Sequence, residues 1–161
     1  MGFEELVERI NKIVSICSSR HIGGESYFDE LDCMVKNDVD LVSAYVNYIV
    51  QKEKVPNIIV SGEIRRLIRH YQHRGYIYPF INIVSVNGGL RRDRDVEEIN
   101  TVDIICNKFI FLDDSYYSGK TARKVKAAVE DNGGEIVRTY GFYDGSPEKR
   151  DDVVSLYIYY K

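Results

Sequence analysis

The spacing of apolar residues changes near residue 55 of the chain. Before that point, apolar positions recur at the spacing of one helical face, which predicts an amphipathic helix over residues 3–19 and a second helical region over residues 26–54. The second region is expected to form two pieces, and the Val-Pro-Asn sequence at residues 55–57 ends it. The first third of the chain is therefore expected to be helical.

Beyond residue 57, short apolar runs alternate with segments of helical spacing. The runs predict strands at residues 58–60, 80–86, 109–112, 135–143 and 153–160. Helices are expected between them, at residues 64–75 and 119–131. This alternation predicts an α/β fold, with a Rossmann-like parallel sheet over residues 55–161 and a ligand site at the carboxyl ends of the strands. Residues 1–54 are then a helical appendage to that core.

Composition narrows the classes of partner. The chain has 161 residues, 44% of them hydrophobic, which suits one hydrophobic core. A formal net charge of −3 gives no general attraction to nucleic acid or to an anionic membrane, so any anion site must be local. Three widely spaced cysteines indicate reduced thiols, and no apolar run approaches the ~20 residues of a membrane span. We expect a soluble cytoplasmic protein without nucleic-acid or membrane partners.

Residues 109–121 carry the strongest chemical signal. Their sequence, Phe-Ile-Phe-Leu-Asp-Asp-Ser-Tyr-Tyr-Ser-Gly-Lys-Thr, leads from an apolar strand through two carboxylates into a helix start. Free N–H groups at a helix N-terminus, aided by the hydroxyls of Ser118 and Thr121, can bind a phosphate. Asp113 and Asp114 can accept hydrogen bonds from vicinal sugar hydroxyls or hold a hydrated Mg²⁺. The combination predicts a site for a ribose 5-phosphate group.

Two other interpretations explain less of this segment. A P-loop, G-x-x-x-x-G-K-[ST], requires glycine where Asp114 stands, and a carboxylate there would repel the phosphates. A structural helix cap needs only one Asp, Ser or Thr. It would leave the second carboxylate and the Ser-Gly-Lys-Thr sequence unexplained.

The same thirteen residues closely resemble the signature that type I phosphoribosyltransferases use to bind phosphoribosyl pyrophosphate (PRPP). That signature has four apolar residues, two acidic residues, three variable residues and Thr/Ser-Gly-x-Thr/Ser, and every class is matched. The resemblance implies that Asp113 and Asp114 face the ribose hydroxyls and hold Mg²⁺ through water. The candidate catalytic residues are Asp113, Asp114 and Tyr117. It also implies that the 5-phosphate is bound by Ser115, Tyr116, Tyr117, Ser118, Gly119, Lys120 and Thr121. Residues 1–54 take the position of the family's variable hood.

The resemblance also implies where pyrophosphate binds. A Ser-Gly turn follows the first predicted strand, in the position of the family's pyrophosphate loop, and a long charged loop follows the second, in the position of its mobile catalytic loop. The candidate pyrophosphate-binding residues are Ser61, Gly62, Arg65, Arg66, Arg91 and Arg92. An ordinary charged loop explains Arg91 and Arg92 equally well.

One position departs from the hypoxanthine-guanine members, which have an aspartate where this chain has Tyr117. A phenol, with a reference pKa near ~10, is a poor general base at neutral pH. Two functions therefore stay open. The first is transfer of the phosphoribosyl group from PRPP to a nucleobase or related heterocycle, in purine or pyrimidine salvage, with release of pyrophosphate. The second is a non-catalytic sensor or regulatory protein that binds PRPP or a nucleotide. We expect a homodimer.

Overall fold

The computed structural model describes residues 1–20, 25–60, 64–85, 107–116, 119–145 and 153–158. In this part of the chain, three helices precede the first strand: α1 (Phe3–Arg20), α2 (Glu25–Lys36) and α3 (Val39–Glu53). The following elements are β1 (Asn57–Val60), α4 (Ile64–His73), β2 (Asn82–Ser85), β3 (Lys108–Tyr116), α5 (Lys120–Asp131), β4 (Glu135–Asp144) and β5 (Val153–Ile158). The prediction of two helices in residues 26–54 is confirmed.

The five strands form one parallel sheet in the order β2-β1-β3-β4-β5. From β1 the chain passes outward to β2, then crosses to β3 and continues in the opposite direction through β4 and β5. The predicted α/β fold with a parallel sheet is confirmed. In open sheets of this kind, ligands bind outside the carboxyl ends of the strands where the strand order reverses. That point lies between β1 and β3.

The sheet is covered on both faces, because alternate residues of a strand point in opposite directions. One face packs against α5, in a cluster of Ile59, Val84, Phe109, Phe111, Val125 and Val129. The other face contributes Ile58, Val60, Ile110 and Leu112 to a larger cluster with residues of α1 to α4. Strands β1 and β3 are therefore apolar at every position of their shared length, as expected for a buried parallel sheet.

The three N-terminal helices pack on the sheet through this larger cluster. Leu6 and Ile10 of α1 and Tyr45 of α3 are fully buried there with Phe142 of β4. The ring of Tyr45 lies edge-on to the ring of Phe142, with 5.0 Å between ring centroids. Residues 1–54 and the sheet consequently share one hydrophobic core.

Two strand boundaries differ from those predicted. β2 begins at Asn82, whereas Phe80 is 62% exposed and its ring stacks on that of Tyr78 outside the sheet. Pro79 lacks an N–H and so cannot donate to a strand pairing at this point. β3 continues to Tyr116, beyond the apolar run, because pairing with β4 depends on backbone groups and not on side-chain polarity.

No helix in the described ranges combines the length and the apolar character needed to cross a membrane.

Candidate functional site

Strand β3 extends beyond β1 at the carboxyl edge of the sheet. Its pairing with β1 ends where Val60 meets Leu112, but its pairing with β4 continues until Tyr116 meets Asp144. Residues 113–116 therefore project past β1, and within the described residues they pair only with β4. They form one wall of the crevice at which this strand order places ligands.

The two carboxylates of the signature lie at the start of this projection. Asp113 and Asp114 are both half-buried, and as consecutive strand residues they start from opposite faces of the sheet. Oδ1 of Asp113 accepts a 2.9 Å hydrogen bond from the backbone N–H of Asp114. A ligand that lies across the strand end can reach both side chains, whereas a ligand on one face of the sheet reaches only one.

Asp114 forms an ion pair with α2. Its Oδ2 lies 3.6 Å from Nζ of Lys36, and Lys36 Nζ lies 2.6 Å from Oδ2 of Asp32. Lys36 is only 8% exposed. Sequence reasoning missed both α2 residues, because the only local signal is the spacing of four between Asp32 and Lys36, which many exposed helices share.

Helix α5 begins directly after the projection. Gly119 precedes its first residue with φ 78° and ψ 8°, in the left-handed region, and is buried. No side-chain hydrogen bond caps this end of α5 within the described residues. The first N–H groups of a helix have no partner inside the helix, and the helix dipole favours an anion there. The end of α5 can thus bind a phosphate, and glycine allows the required turn at the lowest cost.

The predicted phosphate-binding residues are distributed over three structural settings. Ser115 and Tyr116 belong to β3, where they pair in register with Tyr143 and Asp144 of β4. The sequence predicted that this strand would end at residue 112. Lys120 is exposed at the start of α5, and Thr121 is half-buried in its first turn. Tyr117 and Ser118 lie outside the described residues.

The predicted pyrophosphate-binding residues are only partly described. Arg65 and Arg66 lie in the first turn of α4, at the carboxyl edge of the sheet where β1 ends, with Arg65 half-buried and Arg66 exposed. They share this edge of the sheet with Asp113. The other four candidates, Ser61, Gly62, Arg91 and Arg92, lie outside the described residues.

A further carboxylate, Asp144, lies at the same edge of the sheet. It is 4% exposed at the end of β4, and Tyr116 of β3 is its partner in register. The sequence signal was available, since Asp144 follows the buried residues Tyr140 to Tyr143, as Asp113 follows Phe109 to Leu112. Sequence reasoning did not single out Asp144.

The carboxylate donors are compatible with Mg²⁺. This ion takes oxygen ligands and is commonly held by one or two carboxylates together with substrate phosphates. Within the described ranges, no group of three or more His, Cys, Asp or Glu side chains is arranged around a common point. Asp113 and Asp114 fit a hydrated ion that a phosphorylated ligand helps to hold.

The described residues define a doubly wound α/β protein with the start of α5 and two carboxylates near its switch point. No protein-family profile matches the chain, and no curated protein matches it in sequence. Two solved structures resemble it at 15% identity. One is a purine phosphoribosyltransferase from Pyrococcus horikoshii Ot3, with a TM-score of 0.47 over 75% of this chain and 82% of that chain. The other is an orotate phosphoribosyltransferase from Aeropyrum pernix, with a TM-score of 0.46 over 87% and 75%.

Proposed function

We propose that this protein binds PRPP at the carboxyl end of β3 and transfers its phosphoribosyl group to a nucleobase or related heterocycle, with release of pyrophosphate. The observation that carries the proposal is the projection of residues 113–116 past β1, with two carboxylates at its base and the start of α5 after Gly119, where no described side chain caps the helix. A diol acceptor and a phosphate acceptor are thereby close in sequence, at residues 113–114 and at the start of α5. The match of residues 109–121 to the PRPP signature supports the same ligand.

In this proposal, the residues of the chain act mainly by positioning. The N–H groups at the start of α5 hold the 5-phosphate, and the carboxylates of Asp113 and Asp114 accept hydrogen bonds from the ribose hydroxyls. Positive charge develops on the ribose as pyrophosphate leaves, and the same two carboxylates stabilise it. When bound, a hydrated Mg²⁺ supplies charge neutralisation to the pyrophosphate. Arg65 and Arg66 are placed to approach pyrophosphate from the start of α4.

A second function is binding without transfer. The observation that favours it is Tyr117, which replaces the aspartate of the hypoxanthine-guanine members and is a weak base at neutral pH. A protein that retains the phosphate and diol contacts but lacks base chemistry would act as a PRPP or nucleotide sensor.

The test has a binding arm and a turnover arm. Binding of PRPP, ribose 5-phosphate and nucleoside 5-monophosphates is measured by calorimetry with and without Mg²⁺. Turnover is measured as pyrophosphate release from PRPP with hypoxanthine, guanine, xanthine, adenine, uracil and orotate. Binding with turnover supports the transferase, and binding without turnover supports the sensor. Absence of binding at millimolar ligand refutes both functions.

A further inference from the structure

The ammonium group of Lys36 is buried beside the candidate site. Lys36 is the last residue of α2 and is 8% exposed, and its Nζ lies 2.6 Å from Asp32 and 3.6 Å from Asp114. Withdrawing an ammonium group from water costs several kcal/mol unless carboxylates pair with it. The arrangement places that charge against one of the two carboxylates that we propose to bind the ribose.

Helix α2 is held in place from two other elements. The hydroxyl of Tyr71, in α4, donates a buried 2.8 Å hydrogen bond to the backbone carbonyl of Lys36. The hydroxyl of Tyr143, in β4, donates a 3.4 Å hydrogen bond to the carbonyl of Leu31, in the middle of α2. The backbone of α2 is therefore anchored at two points, and the ammonium group of Lys36 is held by Asp32 and Asp114.

Such a charge restricts the side chain of Asp114. A half-buried carboxylate can adopt several rotamers, and a charge-assisted contact favours one of them. A carboxylate that binds a diol benefits from this restriction, since its geometry is set before the ligand arrives.

We propose that Lys36 is a positioning residue, which holds the side chain of Asp114 in the orientation that binds the ribose hydroxyls. The inference rests on the proposed function, because it assigns Asp114 to the ligand. It also gives α2 a role in ligand binding, although α2 lies outside the signature and outside the sheet.

The test is a double-mutant cycle on ligand affinity. Lys36→Met retains the length of the side chain and removes its charge, and Asp114→Asn removes the charge of its partner. Loss of one charge-assisted contact is expected to weaken binding of ribose 5-phosphate about tenfold in Lys36→Met. Because Lys36 acts through Asp114, Lys36→Met should produce little further loss in the Asp114→Asn background.

Three further variants separate charge from structure. Lys36→Arg keeps the charge and should recover most of the affinity, and Lys12→Met removes an exposed lysine of α1 and should leave affinity unchanged. Tyr71→Phe removes the hydrogen bond to the end of α2 without altering any charge, and reports how much of the effect comes from helix position. Lys36→Gln replaces Lys36→Met if the methionine variant does not fold, as judged by circular dichroism.

The outcomes are distinct. Additive losses in the cycle would mean that Lys36 contacts the ligand directly, which overturns the positioning role. Unchanged affinity in a folded Lys36→Met protein overturns the inference and leaves the proposed function standing. Absence of ribose 5-phosphate and PRPP binding by the wild-type protein overturns the inference together with the proposed function.

Discussion

The hydroxyl of Tyr45 donates a 2.8 Å hydrogen bond to the backbone carbonyl of Gly141, between α3 and the middle of β4. Tyr45 is fully buried, and burial raises the pKa of its hydroxyl well above the ordinary value of 10. This contact joins the N-terminal helices to the strand that pairs with Asp113. Gly141 is also the residue of β4 that pairs in register with Asp113, so the hydrogen bond from Tyr45 ends next to the candidate site.

Tyr45→Phe is expected to lower the free energy of unfolding by about 1 kcal/mol, because a buried hydrogen bond is lost with little change in packing. Tyr48→Phe is a matched control in the same helix, at a half-buried position, and should change stability by less than ~0.5 kcal/mol. Urea denaturation of the three proteins measures both values. Equal effects of the two substitutions would contradict the assigned role of Tyr45.

The same residue gives a pH prediction. A tyrosine with a raised pKa in the folded protein keeps its proton when the unfolded chain loses it. Its contribution to stability is complete below pH 10 and is lost as the pH rises from there toward the folded-state pKa. Tyr71 and Tyr140 shift in the same direction, both mainly through burial. Stability should therefore fall steeply above pH 10, and less steeply in Tyr45→Phe. A thermal midpoint that stays constant from pH 9 to 11 would contradict this.

The carboxylates of the site should affect ligand binding more than folding. Replacing Asp113 and Asp114 together with Asn is expected to weaken binding of PRPP by more than about tenfold while the protein stays folded, since two charge-assisted hydrogen bonds are lost. Between the single variants, Asp114→Asn should lower the thermal midpoint more than Asp113→Asn, because it leaves buried Lys36 with one fewer carboxylate. Unchanged affinity in the folded double variant would mean that both residues have only a structural role at the end of the strand.

Gly119 and Gly133 provide a matched pair for the phosphate contact. They lie at opposite ends of α5 with φ of 78° and 82°. Replacing either with Ala should cost about 1–2 kcal/mol, since a Cβ is unfavourable in the left-handed region. Only Gly119→Ala should also weaken binding of ribose 5-phosphate, because it alters the turn into the proposed phosphate-binding end of α5. Equal affinities for the two variants would place the phosphate elsewhere.

Gly134 is required for a different reason, which is close packing. A Cβ at this position would lie 2.8 Å from Cγ1 of Val129 and 2.9 Å from Cε2 of Phe109. Gly134→Ala should therefore lower the free energy of unfolding by about 1–3 kcal/mol through overpacking. This loss should exceed the loss in Gly133→Ala, which comes from backbone strain alone. A Cβ at Gly133 would have no heavy atom of the described residues within 4 Å, so that substitution isolates backbone strain. Chemical denaturation of both variants decides the comparison.

Tyr117 distinguishes this chain from the hypoxanthine-guanine members that its signature resembles. If the proposed transfer does not use residue 117 in its base chemistry, Tyr117→Phe should retain most of the proposed transferase activity, because only the hydroxyl is lost. Tyr117→Asp restores the hypoxanthine-guanine pattern, yet it should not create efficient transfer to those bases, since specificity also requires contacts to the base edge. Steady-state rates with the base panel test this. Robust guanine transfer by the wild type would contradict our interpretation of Tyr117.

Much of the fold was accessible from the sequence, because it depends on local patterns. The spacing of apolar residues records which face of an element is buried, so helices α1, α3 and α5 and the short strand β1 could be predicted within a few residues. The apolar run before Asp113 and the Ser-Gly-Lys-Thr sequence after it likewise located the candidate site. The same reliance on local pattern placed Phe80 wrongly in β2. An aromatic residue next to a strand fits the strand pattern, and only its exposure in the structure shows that it lies outside the strand.

Tertiary structure alone decided which distant groups meet at the site. Pairing with β4 extends β3 through Asp113 and Asp114 to Tyr116. The pairing of β3 with β1 ends earlier, where Val60 meets Leu112, so β3 projects beyond β1 at the candidate site. Lys36 meets Asp114 because α2 packs over that edge of the sheet, and no local pattern in the sequence records such a contact. The physical reason is that periodicity reports burial, whereas the identity of a partner depends on how whole elements pack.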